Sequence, residues 1–166
     1  LSMSTSGTIS GTPVNADVGA HTIIVTVTDS SSAAATASDT FVLTVTNTND
    51  APTVSSAISD ASTAEDSAYS LDISSNFADS DVGDSLSFTA SGLPSTLSMN
   101  SAGTISGTPV NADVGAHTII VTATDDSSAA GTVTDTFVLT VTNTNDAPTV
   151  SSPIADASTD EDAAYS

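Results

Sequence analysis

Residues 97–125 read LSMNSAGTISGTPVNADVGAHTIIVTATD, and residues 1–29 read LSMSTSGTISGTPVNADVGAHTIIVTVTD. Two properties of this stretch decide the fold. The first is alternation. In HTIIVTAT, residues 117–124, His117, Ile119, Val121 and Ala123 share one face of a strand. Period-2 patterning in β-branched residues marks a strand with one buried face. The second is recurrence. The offset of 96 residues holds without insertion to the end of the sequence, and 58 of 70 overlapping positions are identical, 12 differing. That period is too long for one coil of a solenoid and matches the usual size of a folded domain.

Outward from the decisive stretch the pattern stays β. In TFVLTVT, residues 136–142, Phe137, Leu139 and Val141 point inward while Thr136, Val138, Thr140 and Thr142 point outward. Shorter strands are expected at 53–58, 69–73, 86–90, 96–99 and 103–106, separated by the turn sequences DVGD, SGLP, NSAG, GTP and NADVG. No stretch carries helical periodicity. About seven short strands in a unit of this size predict an all-β protein of tandem Greek-key β-sandwich domains.

Pro after a polar Asn-Asp pair ends a strand and stiffens a connection, so NDAP marks the unit boundary. Residues 51–146 then form one complete unit, 1–50 the C-terminal part of a preceding one and 147–166 the N-terminal part of a following one. With no initiator Met and no signal peptide, the chain reads as a segment of a longer secreted protein, extracellular or at a cell surface. A neighbouring molecule in a fibre that covers the open half by strand addition is a second way to complete the partial unit.

Composition removes whole classes of function. The 166 residues include 20 Asp and Glu, no Lys, no Arg and no Cys, for a formal charge of −20. A chain without cationic side chains releases no counterions from a phosphate backbone, and an anionic membrane surface repels it. Nucleic-acid binding, P-loops, arginine fingers, lysine nucleophiles and disulfides are excluded on the same ground. High acidity with four Phe, two Tyr and no Trp would ordinarily mean disorder, but 38% of the residues are hydrophobic and they alternate. No run of apolar residues is long enough to span a membrane as a helix.

The carboxylates are not evenly spread. Asp79, Asp81 and Asp84 lie in FADSDVGD, Glu65-Asp66 near the start of the unit, Asp125-Asp126 at the end of the long strand, and Asn143, Asn145 and Asp146 in the linker. With no cation in the protein, only an external one gathers so many acids, and hard oxygen ligands select Ca²⁺, which takes about 6–8 of them. Sandwich topology brings strand ends and linkers together at the poles of a domain.

These residues carry a resemblance. GTISGTPVNADVGAHTIIVTATD together with FVLTVTNTNDAPTV resembles the cadherin-like repeats of bacterial surface proteins, a group related to dystroglycan-type cadherin domains and Ig-like repeats, and the resemblance covers the whole chain. It implies Ca²⁺ held between successive domains. By position, Glu65 resembles the cadherin strand-A glutamate, Asp79 with Asp81 the Asp-x-Asp loop, and Asp125 the aspartate ending a late strand. Asn145 with Asp146, and Asn49 with Asp50, resemble the Asn-Asp linker. The first junction would then use Asn47, Asn49, Asp50, Asp79, Asp81 and Asp125, while Glu65, Asn143, Asn145 and Asp146 would serve the next. Two departures reduce the expectation from three ions to one or two per junction. Ser106-Gly107-Thr108-Pro109 stands where cadherins carry Leu-Asp-Arg-Glu, and Ala147 stands where an Asn is usual.

The expected function is non-catalytic: a Ca²⁺-stiffened stalk or filament segment whose partners are neighbouring repeats, further copies in a fibre, or a glycan or cell-surface ligand at a distant tip. The many serines have no nucleophile elbow or base beside them. His21 and His117 occupy one repeat position at a strand start without a catalytic partner. Thr44-Val45-Thr46 and Thr140-Val141-Thr142 read as solvent-facing strand rows. Two other readings remain at the level of sequence. A carbohydrate-binding accessory domain would stack sugars on exposed aromatics, of which there are few. A self-assembling matrix fibre would exchange strands between molecules.

Overall fold

The computed structural model describes every residue except Val82 and Ser128, so the expected turn at 81–84 lies partly outside the described residues. The described residues form thirteen strands and three short 3₁₀ turns. In order these are β1 (Ser2–Met3), β2 (Ile9–Ser10), β3 (Gly19–Thr28), β4 (Thr36–Val45), β5 (Thr53–Val54), β6 (Ala61–Ala64) and β7 (Tyr69–Asp72). They continue as β8 (Phe77–Ala78), β9 (Ser87–Ser91), β10 (Leu97–Met99), β11 (Thr104–Gly107), β12 (Gly115–Thr124) and β13 (Thr132–Thr142).

Between β5 and β13 two sheets enclose a core. One has the order β6-β13-β12-β9 and the other β10-β11-β7, with β5 and β8 forming a separate pair. β12 and β13 are antiparallel in the register Ile119↔Phe137 and His117↔Leu139. The alternation in both strands therefore aims at one interior. Ile119, Val121, Ala123, Phe137 and Leu139 are almost wholly buried, and Ile73, Phe77, Phe88, Leu97 and Ile105 meet them from the other elements. Phe77 and Phe88 pack as a tilted pair with ring centroids 5.5 Å apart, a geometry aromatic quadrupoles favour.

The five shorter strands expected from sequence all contain strand residues, with ends shifted by one to several positions. Two further strands are present. β6, the small-residue stretch ASTA, adds in parallel to β13 in the register Leu139↔Ala61. Two carboxylates place it there: Asp135 Oδ2 accepts the Ile58 N–H at 2.6 Å, and Asp60 Oδ1 accepts the Val138 N–H at 2.7 Å. β8 is only two residues long and pairs with β5.

The β3–β4 hairpin repeats the β12–β13 register with every number lower by 96, as in Ile23↔Phe41. The β1–β2 pair likewise repeats β10–β11, with Met3↔Ile9 standing for Met99↔Ile105. The apolar face of this first unit, with Ile9, Phe41, Leu43 and Val45, lines an open groove of about 720 Å³. Residues 147–166 form no strand and are exposed.

Candidate metal centre

The linker 49–50 meets the loop between β8 and β9, and the contacts are made by the acids that the sequence singles out. Asp79, Asp81 and Asp84 each place one carboxylate oxygen within 4.8 Å of the other two. Their orientation is set by backbone hydrogen bonds. Asp79 Oδ1 accepts the Asp81 N–H at 2.9 Å, an Asx turn that folds the loop back on itself. Asp81 Oδ2 accepts the linker's Asp50 N–H at 2.7 Å. Asn49 donates its side-chain amide to Asp125 Oδ2 at 3.1 Å. Asp125 is fixed in turn by Ser127, whose hydroxyl donates to Oδ1 at 2.7 Å, and by the Gly131 N–H on Oδ2 at 2.8 Å.

In Asp79 and Asp81 one carboxylate oxygen is engaged and the other is left over, whereas both Asp125 oxygens are engaged. Asp79 Oδ2, Asp81 Oδ1, Asp84 Oδ2 and Asn49 Oδ1 are buried without a hydrogen-bond partner among the described residues. Asp81 as a whole is only 5% exposed. Buried polar atoms are rarely left unpaired in folded proteins, and an unmet charged oxygen is the costliest kind. All four are hard oxygen donors, the chemistry that suits Ca²⁺. The residues present therefore fit such an ion.

Electrostatics agree with the geometry. Desolvation pushes the Asp84 carboxyl above its usual range, and the charges of Asp126, Asp81, Asp79 and Asp125 push it further. Asp125 is held low instead, chiefly by the Ser127 hydroxyl and the Asn49 amide. The loop and the segment after β12 thus bring at least five carboxylates together, with no Lys or Arg in the protein to balance them.

A second cluster lies at the end of β13. Glu65, Asp66 and Asp146 place carboxylate oxygens within 4.8 Å of one another. Glu65 is 1% exposed; its Oε1 accepts the Thr144 N–H at 2.7 Å and its Oε2 is buried without a partner among the described residues. Asp66 stands in the left-handed region, at φ 59°, a conformation short polar side chains tolerate.

Of the residues expected at the first junction, Asn49, Asp50, Asp79, Asp81 and Asp125 come together in this hydrogen-bonded network, whereas Asn47 is exposed and joins no side-chain hydrogen bond among the described residues. For the next junction Glu65 and Asp146 come together, Asn145 donates among the described residues to the Asp146 carbonyl alone, and Asn143 is exposed. Asp66, Asp84 and Asp126 were not among the expected ligands. Asp84 was signalled by three aspartates within six residues of FADSDVGD, and Asp126 by its place beside Asp125. Asp66 was signalled in the same way, by its place beside Glu65.

The family model described as Putative Ig domain matches residues 1–46 and 51–142. The chain belongs to that family. Among solved structures, these Ig-like units are similar to mouse cadherin-23 domains EC22–24, with a TM-score of 0.65 at 18% identity over 83% of this chain and 46% of that one. Extracellular cadherin domains 1–5 of protocadherin gamma B2 match with a TM-score of 0.58 at 20% identity, over 80% of this chain and 28% of that one. Such likeness establishes a cadherin-like fold. An endo-fucoidan hydrolase of glycoside hydrolase family 107 reaches a TM-score of 0.48 at 24% identity, covering 20% of that chain, and bears on no functional reading. The Ig-like chain spans less than half the length of each of these structures. No curated protein sequence matches it. No helix among the described residues is long and apolar enough to cross a membrane.

Proposed function

We propose that this chain is a non-catalytic structural segment of an extracellular or cell-surface protein, a string of Ig-like units joined by Ca²⁺ at their linkers. Units 1–50, 51–146 and 147–166 succeed one another in it. At the first junction Asp79, Asp81 and Asp84 ligate the ion, with Asp125, Asn49 and Asp50 completing the oxygen shell. At the next, Glu65 and Asp146 serve with Asp66 beside them. The bound ion offsets the mutual repulsion of the acids and ties the linker to the following unit. The observation that carries this reading is the set of buried carboxylate oxygens at 79, 81 and 84 left without partners in a chain with no Lys or Arg.

The test separates charge relief from ligation. In chelator at pH 7, Asp84→Asn melts above the wild type, because one charge leaves a repulsive cluster. Added Ca²⁺ stabilises the wild type, by about 2.7 kcal/mol at a hundred times its Kd, and stabilises the variant much less. Equal calcium-dependent shifts in the two proteins contradict the assignment.

A further inference from the structure

The 3₁₀ turn Asn15–Asp17 in the first unit and its copy Asn111–Asp113 in the second are internally alike. The residue before each turn has nearly the same backbone, φ −118° and ψ 171° at Val14 against φ −117° and ψ 172° at Val110. In both, the third residue's carboxylate accepts the N–H of that valine, at 3.0 Å for Asp17 and 3.2 Å for Asp113. In both, a histidine ring bonds the carbonyl of the same aspartate, at 2.6 Å for His21 and 2.7 Å for His117. The asparagine side chain enters none of these bonds.

The two asparagines differ only in what lies next to them. Asn111 is exposed and forms no side-chain hydrogen bond among the described residues. Asn15, with the sandwich of β5–β13 following it, is half-buried and donates Nδ2 to Asp50 Oδ2 at 2.8 Å and to the Ser80 carbonyl at 3.4 Å. The Ser80 hydroxyl donates to the same Asp50 oxygen at 3.2 Å. The Asp50 N–H donates in turn to Asp81. One carboxylate thus joins the turn of the first unit, the linker, and the acidic loop of the second.

We infer that Asn15, in the first Asn-Ala-Asp turn, is a junction latch: a positioning residue that pins the linker aspartate Asp50 against the next unit and aligns it before an ion arrives. The chemistry asks for an amide. Both acceptors, a carboxylate and a backbone carbonyl, need donors, and a chain without Lys or Arg has few side-chain donors apart from amides and hydroxyls. An aspartate here would add a repelling charge beside Asp50. A hydrogen bond to an ionised acceptor is about twice as strong as a neutral one, enough to pre-order a short linker.

The latch is a contact between protein groups, and only its effect on ion affinity rests on the calcium reading above. The experiment keeps the two apart. In chelator, hydrogen exchange at the Asp50 amide is followed by NMR in the full chain, in Asn15→Ala, and in Asn111→Ala, which alters the identical turn without touching this junction. Asn15→Ala is expected to speed exchange roughly ten-fold, since loss of the amide frees the linker, while Asn111→Ala leaves it unchanged. Calcium titration then follows, with affinity in Asn15→Ala expected to fall on the order of ten-fold, as for other groups that orient a metal ligand. Unchanged Asp50 exchange in Asn15→Ala overturns the latch, whatever the titration shows. Faster exchange in a protein that binds no calcium upholds the latch and removes the metal reading instead.

Discussion

Asp113 and Asp84 show how one side-chain type serves two ends within a unit. Asp113 is buried and fully engaged: Ser95 donates its N–H and hydroxyl to Oδ1, each at 2.9 Å, and Thr96 donates its hydroxyl to Oδ2 at 2.6 Å. These bonds, the Thr96 hydroxyl foremost, hold its carboxyl down at about 2, from 3.8. They tie the entry to β10 to the turn before β12. A carboxylate with a depressed native pKa stabilises the fold above its unfolded pKa and ceases to do so as pH falls through the native one. Stability from Asp113 is therefore complete above about pH 4 and lost between about 3.8 and 2. Asp113→Asn should lower the melting temperature at pH 7 by roughly 5–10 °C, and the gap to wild type should close on acidification across that window. A gap that stays constant down to pH 2 would contradict the assignment. Asp84 has the opposite sign, because burial and then the charges of its neighbours oppose its ionisation instead of bonding it.

At the scale of elements, the long strands were legible in the sequence and the short additions were not. β12 and β13 announce themselves by alternation, since each buries one face against the other sheet. β6 has only Ala, Ser and Thr, with little β propensity and no apolar alternation. It is a strand because Asp60 and Asp135 anchor the chain beside β13, bonds that span 77 and 78 residues of sequence. The candidate site divides in the same way. Asp79 and Asp81 could be read from their spacing on one loop, and Asp125 from its place at a strand end. Asn15 could not, because its partners lie 35 and 65 residues away and its copy at 111 makes no such contact. The β12–β13 loop carries a further constraint of this kind. A Cβ at Gly131 would stand 2.7 Å from the Ala51 Cβ and 2.9 Å from Asp125 Oδ2, so the linker passes directly over this glycine. Gly131→Ala should cost about 1–3 kcal/mol by overpacking, read from the urea midpoint, and should weaken calcium binding as Asp125 is displaced. An unchanged midpoint would mean that the linker does not lie on this loop.

The whole molecule follows from two facts about its charge. A total of −20 without Lys, Arg or Cys leaves no ion pair with either side chain and no disulfide to stiffen the string. The fold concentrates acids at the linker ends of the sandwich, where the latch at Asn15 and the oxygen cluster at 79–84 meet the same Asp50. In this account the hydrogen bonds align the junction and the divalent ion locks it. The absence of cysteine makes a direct measurement simple, because two introduced cysteines take spin labels at those sites alone. Thr22 and Thr118 are exposed and occupy the same strand position in the two units. The distance distribution between labels at Thr22→Cys and Thr118→Cys, measured by pulsed electron resonance with Ca²⁺ and with chelator, tests the central claim. A narrow distribution in Ca²⁺ that broadens in chelator is the predicted result; distributions of equal width in the two conditions would contradict it.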